Sequence, residues 1–129
     1  MRRPPRFDHI PPDEPRWREG ARRFNTGAFF ESHDVWESLW HAVGGPEREL
    51  LQGLIQLAAA YHHRRRGNTT GAQRLYATGR ARVAPWAPRH AGMRLDALLA
   101  DVDRAFAPAP GAPLPPRTPL IRFDDETRP

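Results

Sequence analysis

From Leu50 to His63 the chain runs for fourteen residues without a charged side chain. At the helical rise this is about four turns, and a helix uncharged all round belongs in the middle of a bundle. The stretch is too short for a bilayer, which takes about 20 apolar residues, and it carries Gln52, Gln56, His62 and His63. At about 100° per residue, Leu50, Leu54, Leu57 and Tyr61 share one side, with Leu51, Ile55 and Ala58 adjoining. Gln52, Gln56, Ala59 and His63 line the other side, a narrow polar stripe on a helix that has to be buried.

Prolines and caps set the other elements around this helix. Of the fifteen prolines, only Pro46, Pro85 and Pro88 lie between Arg16 and Phe106. Helix one starts at Asp13-Glu14-Pro15 and buries Trp17, Ala21 and Phe24. Helix two runs from about Ala28 to Val43 and stops at Gly44-Gly45. Helix three opens at Pro46, with Glu47 and Glu49 suiting its dipole, and closes on Arg64-Arg65-Arg66-Gly67. Asn68, Thr69 and Thr70 offer caps for helix four, which runs to about Val83. Helix five covers about Gly92 to Phe106 with Leu95, Leu99, Val102 and Phe106 as its apolar stripe. No run of alternating β-branched residues is present, so no sheet is expected. The fold class is all-α, a single-domain five-helix bundle with an uncharged central helix three and an antiparallel hairpin of helices two and three. Residues 13–106 form the bundle, residues 1–12 a mobile Arg/Pro-rich arm, and residues 107–129, with seven prolines, a tail dispensable for folding. Within that tail, Leu120 to Phe123 is apolar enough to dock on the domain.

All twenty basic residues are Arg, and the net charge is +5. No Cys is present, which excludes disulfides, thiolate metal sites and Cys nucleophiles. The Arg/Pro-rich start lacks the apolar core of a signal peptide, so a soluble cytoplasmic protein is expected. The charge is segregated: five acids and one Arg from Phe24 to Glu49, then eight Arg and no acid from Leu50 to Leu95. Internal pairing between these halves is the expectation. Nucleic acid is not expected as a partner, because no basic motif interleaved with aromatics is present.

Helix two carries the matching half of the polar stripe. Phe29, Trp36, Leu39, Trp40 and Val43 make its apolar arc, His33 falls inside that arc, and Glu37 stands one turn on at its edge. A short turn makes the two helices antiparallel neighbours whose facing residue numbers sum to about 90. Gln52 and Gln56 then come within reach of Glu37 and His33, and Gly53 faces Trp36 and Trp40. The expectation is a buried polar seam of His33, Glu37, Gln52 and Gln56, with Arg74 of helix four as a bidentate partner for the carboxylate. Such a seam predicts that Glu37→Ala costs roughly 2–4 kcal/mol. Glu31, in the first turn of helix two, suits the helix dipole, and its other reading is with His63 and Asn68 at the far end of the same seam. The other reading of His33 and Glu37, as i and i+4 on one helix face, is a pair of metal ligands. His9, His41 and His90 read as surface residues, and Trp86 as either a lid on the bundle end or a contact in a homo-oligomer.

The run Phe24-Asn25-Thr26-Gly27-Ala28-Phe29-Phe30-Glu31-Ser32-His33-Asp34-Val35-Trp36-Glu37-Ser38-Leu39-Trp40 resembles the signature of the bacterial domain of unknown function 309 family, F-N-x-G-x-[FY]-[FY]-E-A-H-E-x-x-E-x-x-W. The likeness continues through Leu51-Gln52-Gly53-Leu54-Ile55-Gln56, His63, Arg66-Gly67-Asn68, Gly71-Ala72 and Arg74-Leu75. It covers about Trp17 to Val83, with Ser32 and Asp34 standing where Ala and Glu are usual. The resemblance implies a small all-helical bundle and brings no reaction, cofactor or partner with it. Three function classes stand: an interaction, scaffold or small-ligand-binding domain with a polar seam; a metal-assisted hydrolase using His33 and Glu37; and a nucleic-acid-associated protein using Arg64, Arg65, Arg66 and the helix-four arginines. No Ser has a base beside it in the pattern of a nucleophile.

Overall fold

A computed structural model describes residues 9–107 and 119–126 of the chain. Five helices form the bundle: α1 Pro15–Asn25, α2 Phe29–Ala42, α3 Glu47–Arg65, α4 Thr69–Val83 and α5 Leu95–Phe106, with one 3-10 turn at Ala84–Trp86. Each boundary has a local cause. The Glu14 carboxylate accepts from Arg16 N at 2.8 Å and caps α1, with Pro15 in its first turn. Gly27 and Gly67, at φ +83° and +85°, end α1 and α3 in the left-handed conformation that only glycine adopts without cost. Asn68 caps α4 through Gly71 N.

The uncharged helix is central, as its composition requires. α3 packs against α2 on one side and α4 on the other, and Leu50, Leu51, Leu54, Leu57 and Ala58 have no exposed surface. The hairpin register is seen directly at both ends of α2. The rings of Phe29 and Tyr61 stack at 4.7 Å, and the Arg48 guanidinium lies 3.5 Å from the centre of the Trp40 ring. Tyr61 continues the aromatic core to Phe24 and to Phe106 of α5. Its hydroxyl is buried without a hydrogen bond, and burial, then the charge of Asp101, pushes its ionisation far above the ordinary range. Asp103 of α5 takes both Arg80 (2.7 and 2.8 Å) and the Tyr76 hydroxyl (2.7 Å), tying α5 to α4. The Arg80 guanidinium holds that carboxyl below its ordinary value.

Gly53 does not face Trp36 and Trp40. A Cβ on Gly53 would meet the Gly79 carbonyl oxygen at 2.9 Å, and a Cβ on Gly79 would meet the Gly53 oxygen at 2.9 Å. α3 and α4 therefore touch backbone to backbone, and the glycine in α3 serves α4 rather than α2.

A small antiparallel hairpin precedes α5 where no sheet is expected: β1 Arg89–His90 pairs with β2 Met93–Arg94. Two-residue strands are too short to leave a periodic trace. The turn is Ala91-Gly92, both at positive φ, as two-residue hairpins favour. The C-terminal segment lies along β2. Arg94 N donates to Arg122 O at 2.8 Å, Asp124 N donates to Gly92 O at 2.8 Å, and Met93 bridges Phe123. Asn25 holds Ile121 from both sides, its Oδ1 accepting from Ile121 N (2.6 Å) and its Nδ2 donating to Ile121 O (2.9 Å). Ile121 and Phe123 are buried, and the Arg18 guanidinium covers the Phe123 ring at 4.3 Å.

At the other end of the described chain, Ile10 is buried and its N–H donates to Glu47 Oε1 at 2.7 Å. Glu47, itself buried, is joined through Oε2 to His90 Nε2. The packed structure thus extends past residues 13–106 at both ends, and His90 is a half-buried partner of Glu47 rather than a surface residue. The expectations for residues 1–8 and 108–118 fall outside the described residues.

Two variants measure these contacts. Gly79→Ala places a methyl against the Gly53 carbonyl and should cost about 1–3 kcal/mol by overpacking, seen in the urea midpoint. Phe123→Ala should cost about 3 kcal/mol or more, which a dispensable tail does not.

Candidate functional site

α2 meets the core through Phe29, Ser32, Trp36 and Leu39, all buried. Ser32 is inward because its hydroxyl has a partner there, donating to Gly20 O at 2.8 Å. The Trp36 indole lies flat on Gly20, where any side chain would collide with the ring, and Nε1 donates to Trp17 O at 3.2 Å. These two bonds turn α2 onto α1 and carry the next residues outward. His33 is half-buried, and Asp34 and Glu37 are exposed.

These three side chains form one cluster. His33, Asp34 and Glu37 each offer a ligand atom, and the three atoms lie within 4.8 Å of one another. Among the described residues no other group of three His, Asp or Glu comes together in this way. The His33 Nδ1 is buried and has no hydrogen-bond partner among the described residues. Beside the cluster a cleft of about 140 Å³ runs between α2 and α3, lined by Phe29, Phe30, His33, Ala59, His62 and His63. Phe30 is 53% exposed, the one exposed large hydrophobic among the described residues. Its ring stacks on His33 (6.2 Å) and leans on His62 (5.5 Å).

The expected buried seam does not form. Glu37 points to solvent, and among the described residues neither His33, Glu37, Gln52 nor Gln56 makes a side-chain hydrogen bond to another of the four. The physical reason is the rotation of α2. With Ser32 in the core, the buried arc is centred near Ser32–Trp36–Leu39, and Glu37 lies about 120° from it. His33 then shares a cleft with Ala59, and Gln56 is not in its wall. Gln52 faces a different groove, with Trp40, Arg48 and Arg82. Gln56 Oε1 is buried without a partner among the described residues, and the Gln56 Cβ abuts Gly79. Arg74 is exposed and pairs with no carboxylate among the described residues. Glu31 is exposed in the first turn of α2. His63 lines the cleft with its Nδ1 3.1 Å from the Asn68 amide nitrogen. No sequence pattern marks Asp34 and Phe30 as site residues, and His62, which the hairpin register sets over a turn from His33, lines the same cleft. Asp34 is legible only once Trp36 is known to be the centre of the buried arc.

Fold and site together define a small helical-bundle protein with an acidic, imidazole-bearing cluster on its second helix. The chain belongs to the family described as Domain of unknown function (DUF309), which matches residues 17–75. A solved relative is the conserved hypothetical protein TTHA0068 from Thermus thermophilus, 34% identical, with a TM-score of 0.63 over 72% of this chain and 97% of that one. The uncharacterized protein YpuF of Bacillus subtilis (strain 168) is 43% identical over 53 residues, 40% of this chain. The match spans 30% of the length of that relative. The family stretch includes the whole cluster and the cleft, and stops before β1 and α5.

An exposed Glu37 has no buried partners to strand. Glu37→Ala should change stability by less than about 0.5 kcal/mol, well under the 2–4 kcal/mol that a buried seam demands, and denaturant unfolding of the two proteins measures it.

Proposed function

We propose that this protein binds one divalent transition-metal ion through His33, Asp34 and Glu37. The observation that carries the reading is the convergence of one imidazole and two carboxylates within 4.8 Å on a single helix. Ligands about 2.1 Å from a tetrahedral ion sit about 3.4 Å apart, so small side-chain rotations close the set. One imidazole with two carboxylates suits a borderline ion such as Zn²⁺ or Mn²⁺. Among the described residues none of the three is engaged in an ion pair, so the cluster loses no internal bond on taking a cation. Three protein ligands leave coordination positions open, as catalytic rather than closed structural sites do. The cleft between Phe30 and His62 supplies a place for the small molecule that would fill one. The hydrolase reading is this site with water as the remaining ligand.

Cytoplasmic residence and self-association belong to the same proposal, and the exposed Phe30 ring supports the second. No helix among the described residues is long and apolar enough to cross a membrane. Against a nucleic-acid role stand the commitments of two arginines at the end of α3: Arg64 donates to Ala105 O and Arg65 to Gly27 O, both at 2.6 Å.

Titration calorimetry of the untagged protein with Zn²⁺ and with Mn²⁺ should show one saturable site. His33→Ala and Glu37→Gln should each weaken it at least about tenfold while circular dichroism stays unchanged. Binding that is absent, or equal in all three proteins, would remove the reading.

A further inference from the structure

One turn beyond the cluster on α2, Trp40 carries an arginine whose charge has no counter-ion among the described residues. Arg48, in the first turn of α3, stacks on Trp40 at 3.5 Å, and its side chain makes no hydrogen bond or ion pair among the described residues. Its Nε is shut off from water without an acceptor. Stacking, rather than an ion pair, fixes the plane of this guanidinium, and the side chain lines a groove of about 500 Å³ together with Gln52 and Arg82. Gln52 is likewise without a side-chain partner among the described residues, so an amide and two guanidinium groups face one space. The one carboxylate in its wall, Glu49, is 67% exposed and already holds Arg82 at 2.7 Å. The donors of Arg48 therefore meet no acceptor that the described residues supply.

The groove does not end there. At Pro46, Glu49 and Arg82 it meets a second, of about 670 Å³, whose walls are Thr78, Ala81, Pro85 and Trp86. The first is donor-rich and the second mostly apolar, and each volume falls in the range of small-molecule sites, about 300–1,000 Å³.

We infer that this double groove binds a small organic anion, its carboxylate or phosphate head on Arg48, Gln52 and Arg82 and its apolar body against Ala81, Pro85 and Trp86. A planar guanidinium held by stacking offers two parallel N–H donors to a carboxylate or phosphate without losing further freedom. Trp86 is held in place by His90, whose ring meets it edge-on at 4.9 Å. His90 is in turn joined to buried Glu47, beside Pro46 and Arg48 in α3. Both ends of the groove are thus braced by the same helix start. The inference is independent of the metal proposal, since none of these residues belongs to the His33 cluster.

The test uses the full chain and four probes: 2-naphthoate, 2-naphthyl phosphate, neutral 2-naphthalenemethanol and inorganic phosphate, followed through the tryptophan indole N–H signals. The two naphthyl anions should bind saturably and shift Trp40 and Trp86. The neutral alcohol and inorganic phosphate should each bind at least about tenfold more weakly. The tighter of the two anions assigns the head group. Arg48→Gln should bring the anions down to the level of the alcohol, Ala81→Trp should weaken anions and alcohol alike, and His33→Ala should change nothing. The inference is overturned if the alcohol binds as tightly as the anions, if inorganic phosphate alone matches the naphthyl phosphate, if Arg48→Gln binds as wild type does, or if no naphthyl probe saturates at millimolar concentration.

Discussion

The carbonyl oxygens of Gly53 and Gly79 occupy the space that each other's side chain would need, and this backbone contact sets the depth of the whole bundle. With two glycines at the crossing, α4 lies closer to α3 than side-chain packing allows, and the uncharged helix is covered on that flank. Its other flank takes α2, through Phe29 on Tyr61 and Arg48 on Trp40. Only because α3 is enclosed from two sides can fourteen uncharged residues sit in a protein of this size. Glycine inside a helix costs about 1 kcal/mol of propensity, which the dispersion contacts of the close crossing offset.

Much of this is legible in the sequence, and what is not has identifiable causes. The α1 stripe of Trp17, Ala21 and Phe24 and the α5 stripe follow from periodicity, since each helix has one buried face. The α2–α3 register follows from the shortness of the turn, and the Phe29–Tyr61 and Trp40–Arg48 contacts satisfy it. The rotation of α2 about its own axis does not follow. It depends on Ser32, a polar residue that reads as solvent-facing until its hydroxyl is seen on Gly20 O. One inward serine moves the arc, takes Glu37 out to solvent, and separates the residues that a seam would join. The partner of Gly53 is hidden for a related reason: register along one hairpin says nothing about the helix on the far side.

The ends of the chain illustrate the same limit. Proline density argues against helix and long strand, but it does not argue against docking. Ile121 and Phe123 lie along β2 using backbone groups that proline at neighbouring positions leaves intact. Ile10 is fixed by a single buried carboxylate, Glu47, which also holds His90. As a first-turn acid in α3, Glu47 is accounted for by the helix dipole alone. Its burial, and the three-way tie it makes between the N-terminal segment, α3 and the hairpin, comes from tertiary structure.

The segregation of charge along the chain has a spatial outcome other than mutual neutralisation. Of the acids between Phe24 and Glu49 and the arginines between Leu50 and Leu95, Arg82 with Glu49 is the one direct ion pair across the two sets among the described residues. The other arginines turn elsewhere: Arg64 and Arg65 to carbonyl oxygens, Arg80 to Asp103 of α5, Arg89 to Asp124. Arginine suits this use because its fork of donors reaches carbonyls and carboxylates alike. The consequence is that, among the described residues, Glu31, Asp34 and Glu37 keep an unneutralised negative face on the outer side of α2, while Arg48 and Gln52 keep a donor-rich groove toward its C-terminal end. At the partly buried Arg48 the field is screened less than on open surface. A cation at the first and an anion at the second would each meet charge that the described residues leave without a partner.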